Sequence, residues 1–148
     1  MLIILSLIFS PAFVQLQETS PGEEEAVKSV VMDFFEAMHG SDSTGIRNSL
    51  TTGAIFQTIS AENEVKTSGM SGFITSIGKA PKGSLEEKIT FASVLIDGTL
   101  ASVWTPYRFY INGNLSHCGV NSIQLHKEND SWKIHYIIDT RRKTGCIE

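Results

Sequence analysis

The chain has 148 residues, which suits one domain built around a single hydrophobic core. Hydrophobic residues make up 41% of it and charged residues 19%, and these fractions argue against a disordered chain. The net charge of −4 gives no reason to expect nucleic acid as a partner, because nucleic-acid binders carry a basic surface. The cysteines and histidines show no metal-ligand spacing, so neither a metal nor a cofactor is expected.

The chain opens with an almost wholly apolar segment, MLIILSLIFSPAFV, at residues 1–14. It is too short to cross a bilayer and has the character of the hydrophobic part of a secretory signal, although no Lys or Arg precedes it. We therefore expect residues 1–20 to be a signal peptide or N-terminal export segment. The mature protein would then be periplasmic or secreted, with no stable membrane anchor. A buried N-terminal strand is the alternative.

Helical periodicity dominates the part of the chain that follows. Residues 23–39 begin with three glutamates and then repeat apolar residues at spacings of three and four, which predicts an amphipathic helix. Asp42 and its serine neighbours predict a cap for a second, shorter helix that runs to Leu50. A strand at 54–59 and a weaker helix at 68–77 are predicted next.

The last third of the chain predicts an antiparallel meander. Its strands are rich in β-branched and aromatic residues, and three hairpin signals divide them: Asp97-Gly98, Asn112-Gly113 and Asn129-Asp130. Two-residue turns at these places fix which residues lie opposite each other on neighbouring strands, and opposed residues share one face of the sheet. One face, turned toward the helices, would carry Ile89, Phe91, Leu95, Leu100, Trp104, Arg108, Tyr110, Leu115, His117, Asn121, Ile123, Leu125, Trp132, Ile134, Tyr136 and Ile138.

The other face of this predicted sheet is apolar as well. It would carry Ala92, Val94, Ala101, Val103, Tyr107, Phe109, Val120 and Ile137. A sheet with one solvated face alternates apolar and polar residues, so this second face is expected to be covered by another subunit. Pro106 would lie directly opposite Gly119, which predicts a bulge or bend at that point.

The order of these elements resembles the nuclear transport factor two-like superfamily, which includes ketosteroid isomerase and the SnoaL-like cyclases. The resemblance rests on the opening helix at 27–39 followed by Asp42, Ile46 and Leu50, and on Trp132-Lys133-Ile134 in the last strand. The segments 110–119 and 139–143 resemble the lumazine-binding branch of the superfamily. The resemblance to the superfamily implies one α+β domain over residues 23–146, with N-terminal helices packed on a strongly bent antiparallel sheet in a cystatin-like cone. It also implies a homodimer formed through the convex sheet face.

A cone of this kind encloses a pocket between the sheet and the helices. The predicted register puts a few polar groups there inside an aromatic wall, a make-up typical of small-molecule sites. The candidate ligand-binding residues are Trp104, Arg108, Tyr110, His117, Asn121 and Tyr136. Arg108 has an alternative role in a rim pair with Glu87, and His117 has one as a partly buried, satisfied histidine.

Two residues are candidates for catalysis. His117 titrates near neutrality and would act as an acid or a base, with Arg108 or Asn121 stabilising an oxyanion. Asp139 is a candidate because ketosteroid isomerase-like proteins use a buried aspartate to take up a proton. The predicted register puts Asp139 on the dimer side of the sheet, where a contact with Arg141 is the other interpretation.

The two cysteines allow a disulfide. Cys118 and Cys146 would pair in an oxidising compartment, or they would remain two independent thiols, one of them in the core.

The whole chain suggests two alternative functions. One is an exported binding or accessory protein with an apolar pocket for a small apolar or aromatic ligand. The other is an enzyme of the isomerase, dehydratase or cyclase type that uses a histidine base in the same pocket.

Overall fold

The computed structural model describes residues 21–146, so the predicted export segment at 1–20 lies outside the described residues. The helices and strands follow in this order: α1 (Pro21–His39), α2 (Ser43–Ser49), β1 (Leu50–Ile59), β2 (Val65–Ser68), α3 (Met70–Lys79), β3 (Leu85–Ile89), β4 (Ser93–Asp97), β5 (Leu100–Ile111), β6 (Asn114–Glu128) and β7 (Ser131–Thr140). The three predicted helices are all present. No helix within 21–146 is both long and apolar enough to cross a membrane.

The helices form where local chemistry favours them. Asp42 caps α2, because its carboxylate accepts hydrogen bonds from the backbone N–H groups of Thr44 (2.9 Å) and Gly45 (3.0 Å). The apolar stripe of α1 is buried against the sheet, with Val31 fully enclosed and Phe34 nearly so. Burial of one face is what stabilises such a helix, since helical propensity alone is weak.

The strands form one seven-stranded sheet in the order β2-β1-β7-β6-β5-β3, with β4 also paired to β5. Helices packed on one side of a bent sheet confirm the predicted α+β cone. One detail differs from an all-antiparallel sheet, because β1 pairs with β7 in parallel. This pairing brings the strand that follows α2 beside β7, the last strand in chain order.

The hairpin turns are close to their predicted places. Asn112-Gly113 and Asn129-Asp130 have positive φ at both residues, as two-residue hairpin turns require. The first turn lies one residue later than predicted, since Asp97 pairs with Leu100 across Gly98 and Thr99. That shift leaves the assignment of residues to faces unchanged within the hairpin.

Two bulges decide the faces, and neither is at Pro106. In β6 the extra residue is Ser116, so Tyr110 pairs with Leu115 but Phe109 pairs with His117. In β7 the extra residue is His135, so Leu125 pairs with Ile134 but Gln124 pairs with Tyr136. Each bulge moves every later residue of one strand by one position, which exchanges inward and outward side chains relative to the neighbouring strand.

The predicted faces are therefore correct for one part of the sheet and wrong for another. Residues of β6 and early β7 lie on the helix side as predicted: His117, Asn121, Ile123, Leu125, Trp132 and Ile134. In β5 and late β7 the two sides are exchanged. The buried residues there are Ala101, Val103, Tyr107, Ile137 and Asp139, which the predicted register put on the outer face.

Gly119 has a packing role instead of the predicted bulge. It pairs with Tyr107 without a break in the ladder. A Cβ added to it would lie 1.8 Å from the backbone oxygen of Thr140 and 2.8 Å from the Tyr107 ring. Glycine is therefore needed here because the end of β7 passes directly over this position.

Candidate functional site

A cavity of about 150 Å³ lies between the helices and the concave face of the sheet. The residues that line it come from α1, α3 and the strands β1, β2, β3, β5, β6 and β7, together with Arg141 after β7. Its wall divides into an apolar end under the helices and a polar end on the sheet. The sheet residues that line it come from the strand positions that the two bulges set inward.

The apolar end is built mainly from phenylalanine. Phe73 of α3 stacks on Phe56 of β1 with ring centres 4.8 Å apart, and on Phe34 of α1 at 6.1 Å. Phe35 and Met38 complete this end from α1. Stacked rings offer a flat apolar guest a complementary surface.

Asp139 is the centre of the polar end. It is 8% exposed and accepts hydrogen bonds from Thr58 Oγ1 (2.5 Å), Tyr107 Oη (2.9 Å) and Arg141 Nε (2.9 Å). The contact with Arg141 was predicted from the sequence, but Asp139 lies on the helix side of the sheet and not on the predicted outer side. Asp139 lines the cavity because the bulge at His135 turns late β7 by one position.

Glu87 is the second carboxylate in the cavity and lies in β3 opposite Phe109. Its Oε1 accepts a hydrogen bond of 2.7 Å from Nδ2 of Asn121. Burial, with a further contribution from the nearby Asp139 charge, raises the pKa of Glu87 to about 7 despite the Asn121 hydrogen bond. Glu87 can therefore hold or release a proton near neutral pH.

The predicted rim pair of Glu87 with Arg108 is wrong, since β3 pairs Lys88, not Glu87, with Arg108. The predicted side of Glu87 is correct, because the predicted register has it on the helix-facing side together with Ile89. Leu85 and Ile89 flank Glu87 at spacings of two, so the three share a face, and the two apolar residues indicate that this face is the inner one.

Two more ionisable side chains belong to this site. Burial lowers the pKa of His117, and the charge of Arg141 lowers it further, so the neutral imidazole is favoured. His117 packs against the rings of Phe109 (5.0 Å between centres) and Tyr107 (5.8 Å). Burial, and then the charge of Asp139, raises the pKa of the Tyr107 hydroxyl far above its ordinary range, so this group remains a hydrogen-bond donor.

The structure brings together only part of the predicted site. His117, Asn121 and Asp139 line the cavity. The other four predicted residues do not line it: Trp104, Arg108, Tyr110 and Tyr136. Their side chains lie on the outer side of the sheet because the bulges at Ser116 and His135 shift the register.

The predicted cysteine pair is present as a disulfide. Cys118 and Cys146 are bonded, with their Cα atoms 5.7 Å apart. Within residues 21–146, no group of three or more His, Cys, Asp and Glu side chains is arranged to hold a metal ion.

Comparison with solved structures gives similar folds. A nuclear transport factor 2-like protein of unknown function from Shewanella baltica is 22% identical, with a TM-score of 0.71 over 86% of this chain and 100% of the other. A domain with a cystatin-like fold from Nostoc punctiforme is 17% identical, with a TM-score of 0.67 over 86% of this chain and 82% of the other. A further nuclear transport factor 2-like protein, from Silicibacter pomeroyi, is 17% identical, with a TM-score of 0.65 over 84% and 100% of the two chains.

These likenesses establish the fold. No protein-family model matches the chain, and no curated protein matches it. The resemblance to the superfamily is thus confirmed at the level of the fold, while the lumazine-binding branch stays a prediction.

Proposed function

Because the chain has the fold of nuclear transport factor 2-like proteins, we propose that it binds a small ring-shaped molecule in the cavity on its concave sheet face. The division of this one cavity into a phenylalanine end and a polar end carries the proposal. The ring would lie against Phe73 and Phe56, and its polar substituent would face Asp139 and Glu87. A few polar groups that orient a ligand inside an apolar wall are typical of such sites.

The dimensions of the cavity limit the ligand. A cavity of about 150 Å³ accommodates a guest the size of benzene. The two carboxylates at the polar end favour a hydroxyl, amino or amide substituent, which can donate a hydrogen bond. A carboxylate substituent would place like charges together in a desolvated site, which costs several kcal/mol in comparable interfaces.

We expect phenol and aniline to bind in the millimolar range or more tightly, and benzoate to bind at least about tenfold more weakly. Phe73→Trp, which fills the apolar end, should abolish binding of all three. Phe91→Trp is the matched control, because Phe91 packs against the core but does not line the cavity. Isothermal titration calorimetry, with lumazine as a fourth ligand, measures the affinities. The proposal is wrong if the Phe73 variant binds as well as the wild type or if benzoate binds best.

A specific observation supports a second candidate, an enzyme that moves a proton on the bound ring. This observation is that the pKa of Glu87 is raised to about 7, a value that suits a general base or acid at neutral pH. The hydrogen bonds from Thr58, Tyr107 and Arg141 already occupy the Asp139 carboxylate. Asp139 is therefore the weaker candidate for the proton acceptor. Because its pKa is near neutral pH, Glu87 is the first choice, in place of His117. Arg108 is excluded from stabilising an oxyanion in this cavity, since it lies on the other face of the sheet.

We also propose a homodimer through the outer face of the sheet. This face exposes Leu95 (67%), Leu100 (53%) and Trp104 (49%), and Ile55 is exposed as well. Leu95 and Trp104 lie on neighbouring strands, so they belong to one apolar patch. Burial against a second copy would remove this patch from water.

Trp104→Glu should convert the dimer to a monomer, because it replaces a large apolar contact with a charge that has no partner. We expect dimerisation to weaken by about 100-fold or more. Met32→Glu is the control, since Met32 is 38% exposed but lies on α1, on the helix side of the sheet. Light scattering after size-exclusion chromatography gives the mass. A monomeric wild type, or a dimeric Trp104 variant, would contradict the proposal.

Export of the mature protein is supported by two features. One is the apolar segment at residues 1–14, and the other is the Cys118–Cys146 disulfide, a bond that persists in oxidising compartments. The intact mass of protein purified from its source tests this proposal, because it gives both the first residue and the oxidation state of the cysteines. A mass that includes residues 1–14 would contradict it.

A further inference from the structure

A second hollow lies on the outer side of the sheet, away from the cavity between helices and sheet. It has a volume of about 380 Å³ and is lined by parts of β3, β5 and β6 together with Arg142. Its charged lining residues are Lys88, Arg108 and Arg142, and no carboxylate of the described chain is among them. This volume lies within the range of small-molecule sites.

The sheet register places these cations in one line. Lys88 pairs with Arg108 across β3 and β5, Arg108 pairs with Cys118 across β5 and β6, and Cys118 pairs with Arg142. Directly paired residues share a face, so all three cationic side chains start from the outer face in a single row. Arg108 and Arg142 are two strand spacings apart, roughly 10 Å, which their long side chains can span toward a common ligand.

This arrangement is unfavourable without a counter-charge. Like charges directly opposite each other on neighbouring strands destabilise a sheet. Glu86 lies 3.6 Å from Lys88 Nζ and compensates one of the three charges. Within residues 21–146, no carboxylate lies within salt-bridge distance of Arg108 or Arg142.

The backbone holds the row in place. Arg142 and Cys118 exchange two backbone hydrogen bonds of 2.9 Å, and the disulfide to Cys146 ties the same segment to β6. Arg142 is therefore fixed beside Arg108, although it belongs to the segment after the last long strand. Fixing the backbone of both arginines in advance lowers the entropy that a ligand must remove on binding.

We propose that this hollow binds the phosphate group of a small anionic molecule. Guanidinium groups match the oxygens of phosphate with paired, charge-assisted hydrogen bonds, and Lys88 adds a third positive charge. The site is separate from the apolar patch proposed for dimerisation, because Arg108 is about 13 Å along β5 from Trp104. It is also independent of the ligand proposed for the cavity.

Titration of the full-length protein with inorganic phosphate at low ionic strength tests this site. We expect Arg108→Gln and Arg142→Gln each to weaken phosphate binding about tenfold or more. Glu86→Gln should strengthen it, since it removes the one nearby negative charge. Arg47→Gln, an exposed arginine at the end of α2, is the control and should bind as the wild type does.

The melting temperature of each variant shows whether a loss of phosphate binding is caused by misfolding. Without phosphate, Arg108→Gln should melt at the same temperature as the wild type or slightly above it, because the repulsion from Lys88 is relieved. Cosedimentation with vesicles that contain phosphatidic acid shows whether a lipid headgroup also supplies the phosphate, and that binding must depend on Arg108 too. Equal phosphate affinity of the Arg108, Arg142 and Arg47 variants would overturn the proposal.

Discussion

Glu87→Gln is expected to stabilise the protein by about 2 to 3 kcal/mol at pH 8 and to change its stability little at pH 4.5. Burial raises the pKa of Glu87 from its ordinary value of 4.5 to about 7. At pH 8 the folded wild type therefore holds a carboxylate in a place that favours the neutral acid. Glutamine has nearly the same shape, stays neutral at every pH, and still accepts the hydrogen bond from Asn121.

The sign of the pH dependence follows from proton binding. Between the ordinary pKa of 4.5 and the folded-state pKa of about 7, the folded protein keeps a proton that the unfolded chain has lost. The contribution of Glu87 to stability is therefore fully present below pH 4.5 and is lost as the pH rises toward 7. A shift of this size corresponds to about 3 kcal/mol.

Urea unfolding at several pH values between 4.5 and 8 measures this effect. Glu86→Gln is the matched control, because Glu86 is the adjacent residue on the outer face and forms an exposed pair with Lys88. It should keep the pH dependence of the wild type. A Glu87 variant that is less stable than the wild type at pH 8 would show that the carboxylate is stabilised in the fold.

The same variant distinguishes a binding protein from an enzyme. If Glu87 transfers a proton, carbon-bound hydrogen atoms of a bound ring compound should exchange with D₂O in the wild type, and Glu87→Gln should stop this exchange while the ligand still binds. NMR follows the exchange. Removing a group that destabilises the fold but performs the chemistry is expected to raise stability and reduce activity together.

Replacing both Cys118 and Cys146 by alanine is expected to lower the free energy of unfolding by about 3 to 4 kcal/mol. The disulfide joins residues 28 positions apart, and such a link mainly restricts the unfolded chain. For a domain of this size, the loss corresponds to a fall in melting temperature of roughly 10 °C. Thermal unfolding followed by circular dichroism measures it.

A reducing agent provides the control for the disulfide. It should lower the melting temperature of the wild type to about that of the double variant and leave the double variant unchanged. The cavity lies on the other side of the sheet, so binding of phenol should survive reduction. Phosphate binding at the outer hollow should weaken, because Arg142 is adjacent to the segment that the disulfide holds. Equal melting temperatures of wild type and double variant would show that the bond does not stabilise the fold.

The helices and the hairpins of the meander were predictable because their signals are local. Asp42 caps α2 through its own side chain, and the apolar repeat of α1 defines its buried face without reference to the rest of the chain. Asn112-Gly113 marks a hairpin because few other residue pairs accept positive φ at both positions. These signals gave the order of elements, and the resemblance to the superfamily then implied the cone-shaped α+β fold.

The candidate site was only partly predictable. His117 and Asn121 were assigned to the correct side, because β6 alternates inward and outward residues without interruption between them. Trp104 and Tyr136 were assigned to the wrong side, because Ser116 and His135 are bulges that nothing in their local sequence marks. Tyr107 was missed for the same reason of register, whereas Glu87 was assigned to the correct side but interpreted as a rim partner of Arg108.

The sequence by itself therefore determined the three helices, the hairpins of the meander and the cysteines that are able to pair, but neither β2 nor the parallel pairing of β1 with β7. Only the tertiary structure decided which side chains share the cavity. The physical reason is that a strand's inward residues depend on pairing with its neighbours, and a single extra residue reverses them all. The carboxylates of Glu87 and Asp139 line one cavity because of two such bulges. The row of Lys88, Arg108 and Arg142 faces outward for the same reason.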